Sequence, residues 1–259
     1  MLNKEELLKN ISDGDEKTAY ARALDKAAAA QRKNIPAYTA FFDPFKLKRL
    51  MDMVGFCGMQ AVTYGGYEGA ERRMIGFLPD YMEFAAEDFP ITPVEICFTR
   101  FSKGLTHRDF LGSVLGIGIT RDKVGDIIVE DERAVVYADS SIADYIAANL
   151  EYVGHTKVRT GLLESYSPPV SAPNEKKMTV ASLRLDAVLG GCFNLSRTRV
   201  AELIKGEKAY INWLGESSPS KQVAEGDIIT LRGSGRAVIK EINGKTKKDR
   251  ILITVEIYK

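Results

Sequence analysis

The side chains best suited to chemistry in this chain are cations, and they recur at intervals near its C-terminal end. Arg184, Arg197, Arg199, Lys205, Lys208 and Lys221 fall between residues 184 and 221, with Asn212 among them and Arg232 and Arg236 just beyond. Guanidinium and ammonium groups held apart on rigid elements match the spaced phosphates of a polyanion, because each must meet its own phosphate without collapsing onto its neighbour. Any single Arg of this set reads better as a solvated helix face. The set as a whole points to nucleic-acid backbone.

Other reactive-looking groups lead elsewhere. His107-Arg108-Asp109 has the letters of a kinase catalytic loop, but Val114 stands where the Asn belongs and no Asp-Phe-Gly follows. The triplet opens a helix instead, with Thr106 and Asp109 spaced as a capping box. His107 and His155 read as structural or surface histidines. Gly65-Gly-Tyr-Glu-Gly69 lacks the Gly-Lys-Ser/Thr ending of a phosphate loop and reads as a turn between strands. Arg72 and Arg73, just after it, read as a solvated strand end, with RNA backbone the alternative. Cys57, Cys97 and Cys192 are odd in number and sit among apolar neighbours, so they read as buried free thiols in a reducing compartment. No cofactor and no metal site is expected.

The elements that must carry the cations follow from spacing. Ser182 is placed to cap a helix bearing Leu185, Val188 and Leu189 on one face, with Gly190 and Gly191 to end it. Ser196 caps a second helix with Val200, Leu203 and Ile204, and Gly206 stops it. On that helix Arg197 and Lys205 share a flank, while Arg199 projects from the other. Tyr210 to Trp213 alternate as a strand, and Glu225-Gly-Asp227 marks a turn. Arg236 to Ile242 and Arg250 to Tyr258 read as a hairpin closed by residues 243–248, which hold three lysines.

Upstream, residues 1–34 read as two helices, the second starting at Asp13 or Asp15 with an Ala run as plain helix former. A strand over Tyr38 to Phe42 precedes a helix begun by Asp43-Pro44 and ended by Gly55 or Gly58. Strands follow at Met59 to Tyr64 and Met74 to Leu78. Residues 91–165 give the order β-α-β-β-α-β of the ferredoxin-like, RNA-recognition-module arrangement. Its strands are Val94 to Phe101, Asp126 to Glu130, Ala134 to Ala138 and Lys157 to Leu163. Phe98 and Tyr137 fall on candidate central strands and read as core rather than stacking platforms. Tyr166 to Lys177, with three prolines, reads as a linker that lets the basic module reorient. The fold class is α+β and multi-domain: an N-terminal unit over 1–90, the middle domain over 91–165, the linker over 166–177 and a C-terminal module over 178–259.

Composition supports this division. The chain of 259 residues has 45% hydrophobic and 27% charged content, ordinary for a soluble globular protein. It contains no apolar run long enough to span a membrane. Its net charge of +1 conceals an asymmetry: residues 178–259 hold 14 Lys and Arg against 9 Asp and Glu, a net +5, which leaves a net −4 upstream. The electrostatic footprint for a polyanion therefore lies at the C-terminal end.

Arg184-Leu-Asp186, Ser196-Arg197, the Gly-bounded helix end, Ile211-Asn212 and Gly226-Asp227 resemble the RNA-binding module first described in ribosomal small-subunit protein four, the S-four domain. Trp213 departs from that pattern, which usually has Gly after the Asn. Gly65-Gly-Tyr-Glu-Gly-Ala-Glu-Arg72, Thr106-His-Arg-Asp-Phe-Leu-Gly112, Leu115-Gly-Ile-Gly-Ile-Thr-Arg-Asp-Lys123 and Gly125-Asp-Ile127 resemble the bacterial YlmH family, which Trp213 fits. The resemblance runs from about residue 38 to the end. It implies a cytoplasmic, non-catalytic RNA-binding protein, encoded among cell-division genes. Such a protein associates with large-subunit ribosomal RNA and peptidyl-tRNA in ribosome-associated quality control. It also implies Arg184 and Arg197 as an RNA-contacting pair. Arg199, Lys205, Lys208, Asn212 and Lys221 rest on charge and position alone. A monomer is expected. The competing readings are an RNA-modifying enzyme of pseudouridine synthase or methyltransferase type, and an interaction protein of cell division.

Overall fold

Asp13 opens the long helix of the N-terminal region, its carboxylate accepting from the Glu16 N–H at 2.8 Å. In this computed structural model, which describes residues 4–55, 60–99, 104–169, 174–246 and 249–258, α1 (Lys4–Leu8) is short and α2 (Gly14–Lys33) ends on Asn34 at φ 55°. The alanines do more than favour helix. Ala23, Ala27 and Ala30 bury with Tyr20 and Leu24 along one face, so their small size admits a close neighbour. The expected strand from Tyr38 to Phe42 is broken. Only β1 (Ala37–Tyr38) and an isolated bridge from Phe42 to Arg73 pair. Between them the Thr39 hydroxyl accepts the Ile75 N–H at 2.9 Å, and the Phe41 N–H turns away to the Asp122 carbonyl at 2.8 Å. Asp43 caps α3 (Pro44–Gly55), its carboxylate accepting from the Lys46 N–H at 2.9 Å. With β2 (Gln60–Tyr64) and β3 (Met74–Leu78), β1 makes an antiparallel sheet in the order β1-β3-β2. Cys57, Gly58 and Met59 lie outside the described residues.

The next stretch runs β4 (Ile91–Cys97), α4 (His107–Gly116), β5 (Val124–Val129), β6 (Arg133–Asp139), α5 (Ser140–Asn149), the small hairpin β7 (Tyr152–Val153) and β8 (Thr156–Lys157), and β9 (Arg159–Leu162). Its four-stranded sheet has the order β5-β6-β4-β9, antiparallel throughout. Phe110, Val114, Ala143 and Ile146 cluster with Val94, Ile96, Val136 and Ala138, so both helices contribute to one core with the alternate residues of the central strands. The first strand starts three residues earlier than its apolar run suggested, and residues 100–103 lie outside the described set. Thr106 and Asp109 do form the capping box. The Asp109 carboxylate accepts the Thr106 N–H at 2.8 Å and its hydroxyl at 2.7 Å, and these bonds hold its pKa below the usual carboxylate range.

The chain divides into two units, Met1–Pro169 and Val170–Lys259. The linker expected over 166–177 is therefore shorter at both ends. Tyr166 belongs to the first unit: its carbonyl accepts the Tyr137 hydroxyl at 2.7 Å, and the Arg133 guanidinium lies 5.2 Å from its ring centroid. Residues 174–177 begin β10 (Asn174–Val180), which pairs in continuous register with the last strand, and residues 170–173 lie outside the described set.

In the second unit α6 (Leu185–Phe193) and α7 (Arg197–Lys205) pack on a six-stranded sheet. The remaining strands are β11 (Ala209–Ile211), β12 (Leu214–Gly215), β13 (Ile228–Leu231), β14 (Gly235–Lys245) and β15 (Ile251–Tyr258), in the order β10-β15-β14-β13-β11-β12. Leu185, Val188, Leu189, Val200 and Ile204 meet Ile229, Leu231, Ile239 and Val255 in one core. Cys192 is buried there, which pushes its thiol up to about 12 and leaves it inert at neutral pH. The closing hairpin is longer than expected, because β14 runs to Lys245 through two register shifts. Lys247 and Lys248 lie outside the described residues.

Candidate nucleic-acid interface

Arg184 caps the start of α6, and the helix begins there for a reason not local to the sequence. The Leu185 and Asp186 N–H groups donate to the carbonyls of Lys221 and Pro219, at 2.8 and 3.1 Å. The backbone of 219–222 thus supplies the acceptors that Ser182 was expected to provide, and it brings Lys221 beside Arg184. Gly190 and Gly191 do not end the helix. They lie within it, where a Cβ on Gly191 would fall 2.8 Å from the Met178 sulfur and one on Gly190 3.0 Å from the Leu195 carbonyl. Asn194, at φ 54°, makes the turn instead. Ser196 then caps α7 as expected, its hydroxyl accepting from the Arg199 N–H at 3.2 Å, and Gly206 closes that helix.

Both helix starts meet at Asp186. Its side chain is only 7% exposed, and the carboxylate accepts from two guanidiniums: Arg184 through Nε and Nη2 at 3.2 and 3.0 Å, and Arg197 through Nη2 at 3.2 and 3.3 Å. Burial raises the carboxyl's pKa, but the bonds from Arg184 and Arg197 outweigh it and leave it below the usual carboxylate range. The two arginine side chains remain 37% and 55% exposed. One buried anion therefore holds two outward-facing cations side by side, with N–H groups left over to meet phosphate.

The other expected contacts divide. Arg199 pairs with Glu202 at 3.1 Å on an exposed face, and Lys205 is exposed in the last turn of α7. Lys208 is exposed just before β11, across from Arg232, whose N–H donates to the Lys208 carbonyl at 2.9 Å. Asn212 is committed to the fold. Its amide donates to Asp227 at 2.8 Å and accepts the Ile228 N–H at 3.0 Å. Asn212 and Trp213 are not strand residues either. At φ 49° and 65° they form the two-residue turn between β11 and β12.

The glycine-rich stretch and the segments around His107 and Arg121 converge in the first unit. Asp126 accepts from the Tyr67 hydroxyl at 2.9 Å and from the N–H groups of Glu71 and Arg72 at 2.7 and 3.1 Å. The Arg72 guanidinium donates to the carbonyls of Val124, Phe41 and Arg121 at 2.9, 3.1 and 3.2 Å. Burial depresses Arg121 to about 10 and, to a lesser degree, lowers Arg72. Partial desolvation and the Arg121 guanidinium lower His107 as well. Arg72 is therefore neither a solvated strand end nor a phosphate contact, but a bolt between the glycine turn and β5. Arg73 is also engaged, donating to the Ala70 carbonyl at 2.6 Å.

That turn also covers the far face of the four-stranded sheet at its centre. Tyr137 is fully buried and stacks on Tyr67 at 5.0 Å, and a Cβ on Gly66 (φ 101°) would fall 2.3 Å from the Tyr137 ring. Phe98 packs on Phe110 at 5.5 Å. The Tyr137 ring is closed to a base, and Phe98 is half-buried against the core. Asp186 and Tyr210 had no interface role in the sequence reading, and Arg232 was counted there only among the cations beyond residue 221. The signal for Asp186 was its place two residues after Arg184.

Fold and site together describe an α+β protein with an RNA-binding domain: residues 85–165 match the family model described as the putative RNA-binding domain in YlmH. The chain belongs to the YlmH family. It is 31% identical over 247 residues to ribosome-associated protein quality control protein P2 of Bacillus subtilis (strain 168), spanning 95% of this chain and 96% of that one. The solved structure of cell division protein ylmH from Streptococcus pneumoniae matches with a TM-score of 0.50 at 24% identity, over 58% of this chain and 92% of the other, a likeness of fold alone. Among the described residues no helix is long and apolar enough to cross a membrane.

Proposed function

We propose that this protein is a cytoplasmic, non-catalytic RNA-binding factor of ribosome-associated quality control. It grips the backbone of large-subunit ribosomal RNA and of tRNA through an S-four-like C-terminal module. Arg184, Arg197 and Lys221 form the centre of the contact, and Arg199, Lys205 and Lys208 extend it along α7. Asn212 builds the hairpin and is left out of the contact set. The observation that carries this reading is the arginine pair held on the buried Asp186 carboxylate, within a module of net positive charge. The name of the Bacillus relative supports the pathway, and the match over 85–165 supports the ligand class.

We read residues 91–165 as a ferredoxin-like domain related to RNA-recognition modules. Its covered sheet centre directs any RNA contact there to surfaces other than the central strands. Recognition is then by shape and backbone. The test is to crosslink tagged protein to RNA in cells and sequence what is attached. Large-subunit ribosomal RNA and tRNA should dominate, with crosslinks lost from the Arg184→Ala, Arg197→Ala double variant. Recovery of messenger RNA alone would overturn the assignment.

A further inference from the structure

A groove of about 450 Å3 opens at the C-terminal end of α7, away from the arginine pair at its start. Its walls include Lys208, Tyr210, Gly215, Ser217 and Arg232, with Glu207 and Glu216 also lining it. The Glu216 carboxylate is engaged, accepting the Ser218 N–H at 2.8 Å. Strand register shapes this groove. Ala209 pairs with Leu231 and Tyr210 with Thr230, so Lys208 and Arg232 face each other at the end of the ladder. The Arg232 guanidinium carbon lies 5.0 Å from the Tyr210 ring centroid, a planar cation over a planar ring. On the neighbouring strand Tyr210 pairs with Gly215, where even a Cβ would reach within 3.9 Å of the ring. The missing side chain leaves that flank of the tyrosine open.

The volume falls within the range of small-ligand sites, about 300–1,000 Å3. Arg197 and Lys205 are eight helical steps apart, about 12 Å, which a continuous RNA strand covers in a few nucleotides. A planar guanidinium layered on an aromatic ring offers stacking area to any base, and an exposed lysine beside it offers a partner for that base's phosphate. We propose that this groove takes one unpaired nucleotide of the bound RNA, its base stacked on the Arg232–Tyr210 layer and its phosphate against Lys208. This rests on the RNA-binding reading above and adds to it a contact that duplex cannot make.

The test uses the full-length protein and two RNA hairpins, identical except for a single bulged adenosine in one. The wild type should prefer the bulged hairpin by about tenfold, in line with the loss seen when one stacking side chain is removed. Arg232→Lys keeps the charge but loses the plane, so it should abolish the preference while leaving affinity for the paired hairpin and its salt dependence unchanged. Arg184→Ala should weaken both hairpins alike. A wild type without preference overturns the proposal. So does an Arg232→Lys variant that retains the preference, or one that weakens both hairpins equally. Binding to neither hairpin contradicts the RNA-binding reading itself, a different failure from the first.

Discussion

Asp186 is an anion at the centre of the surface proposed to bind RNA, and its worth lies in what it does to its neighbours. It neutralises part of the charge on Arg184 and Arg197, yet it also fixes both guanidiniums against one another, which neither long side chain would do alone in water. Electrostatics by itself predicts that Asp186→Asn strengthens RNA binding. The geometry predicts the reverse, a loss of about tenfold. Glu202→Gln is the control: it frees Arg199 from an exposed pair and should leave affinity equal or slightly higher. Equilibrium binding at one ionic strength separates the two, and tighter binding by Asp186→Asn would remove the positioning role. The same carboxylate sets a pH dependence. Its folded pKa lies below the unperturbed 3.8, so its contribution to stability is complete above that value and is lost as pH falls through the folded one. Denaturant unfolding of wild type and Asp186→Asn should therefore differ above about pH 4 and converge below it.

Among the elements, local signals were legible and distant ones were not. Asp13, Asp43, Thr106 and Ser196 each start a helix by bonding within three residues; spacing alone revealed the last three and narrowed the first to Asp13 or Asp15. Ser182 failed as a cap because the amides it would have satisfied find carbonyls at Pro219 and Lys221, more than thirty residues on. Gly190 and Gly191 failed as stops because they serve close approach to Met178 and Leu195. Arg72 was misread for the same reason, its three carbonyl partners being 31 to 52 residues away. Arg72→Ala should cost about 3 kcal/mol of stability by leaving those carbonyls without their charged donor, measured by denaturant unfolding, with RNA affinity of the folded fraction unchanged. The Asn212-Trp213 turn gives the opposite sign. Trp213 at φ 65° occupies a position that suits glycine, so Trp213→Gly should keep the hairpin and match or exceed wild-type stability by up to about 1 kcal/mol. Asn212→Ala, which loses the bonds to Asp227 and Ile228, should destabilise it.

Across the whole molecule, charge and contact divide the chain at nearly the same place. The net positive charge of residues 178–259 was readable from composition, while the boundary at residue 169 was not, because β10 pairs with β15 from the far end of the chain. The first unit keeps its distinctive segments for its own cohesion, around Asp126 and Arg72, and buries the tyrosine that an open sheet would offer to RNA. The second holds Arg184 and Arg197 at its surface. The most direct measurement of that difference is the salt dependence of binding to large-subunit ribosomal RNA, for wild type and for the Arg184→Ala, Arg197→Ala double variant. Each lost phosphate contact removes about one unit from the slope of log affinity against log salt, so the double variant should fall by about two. Parallel lines for the two proteins would place the contact elsewhere and contradict the account.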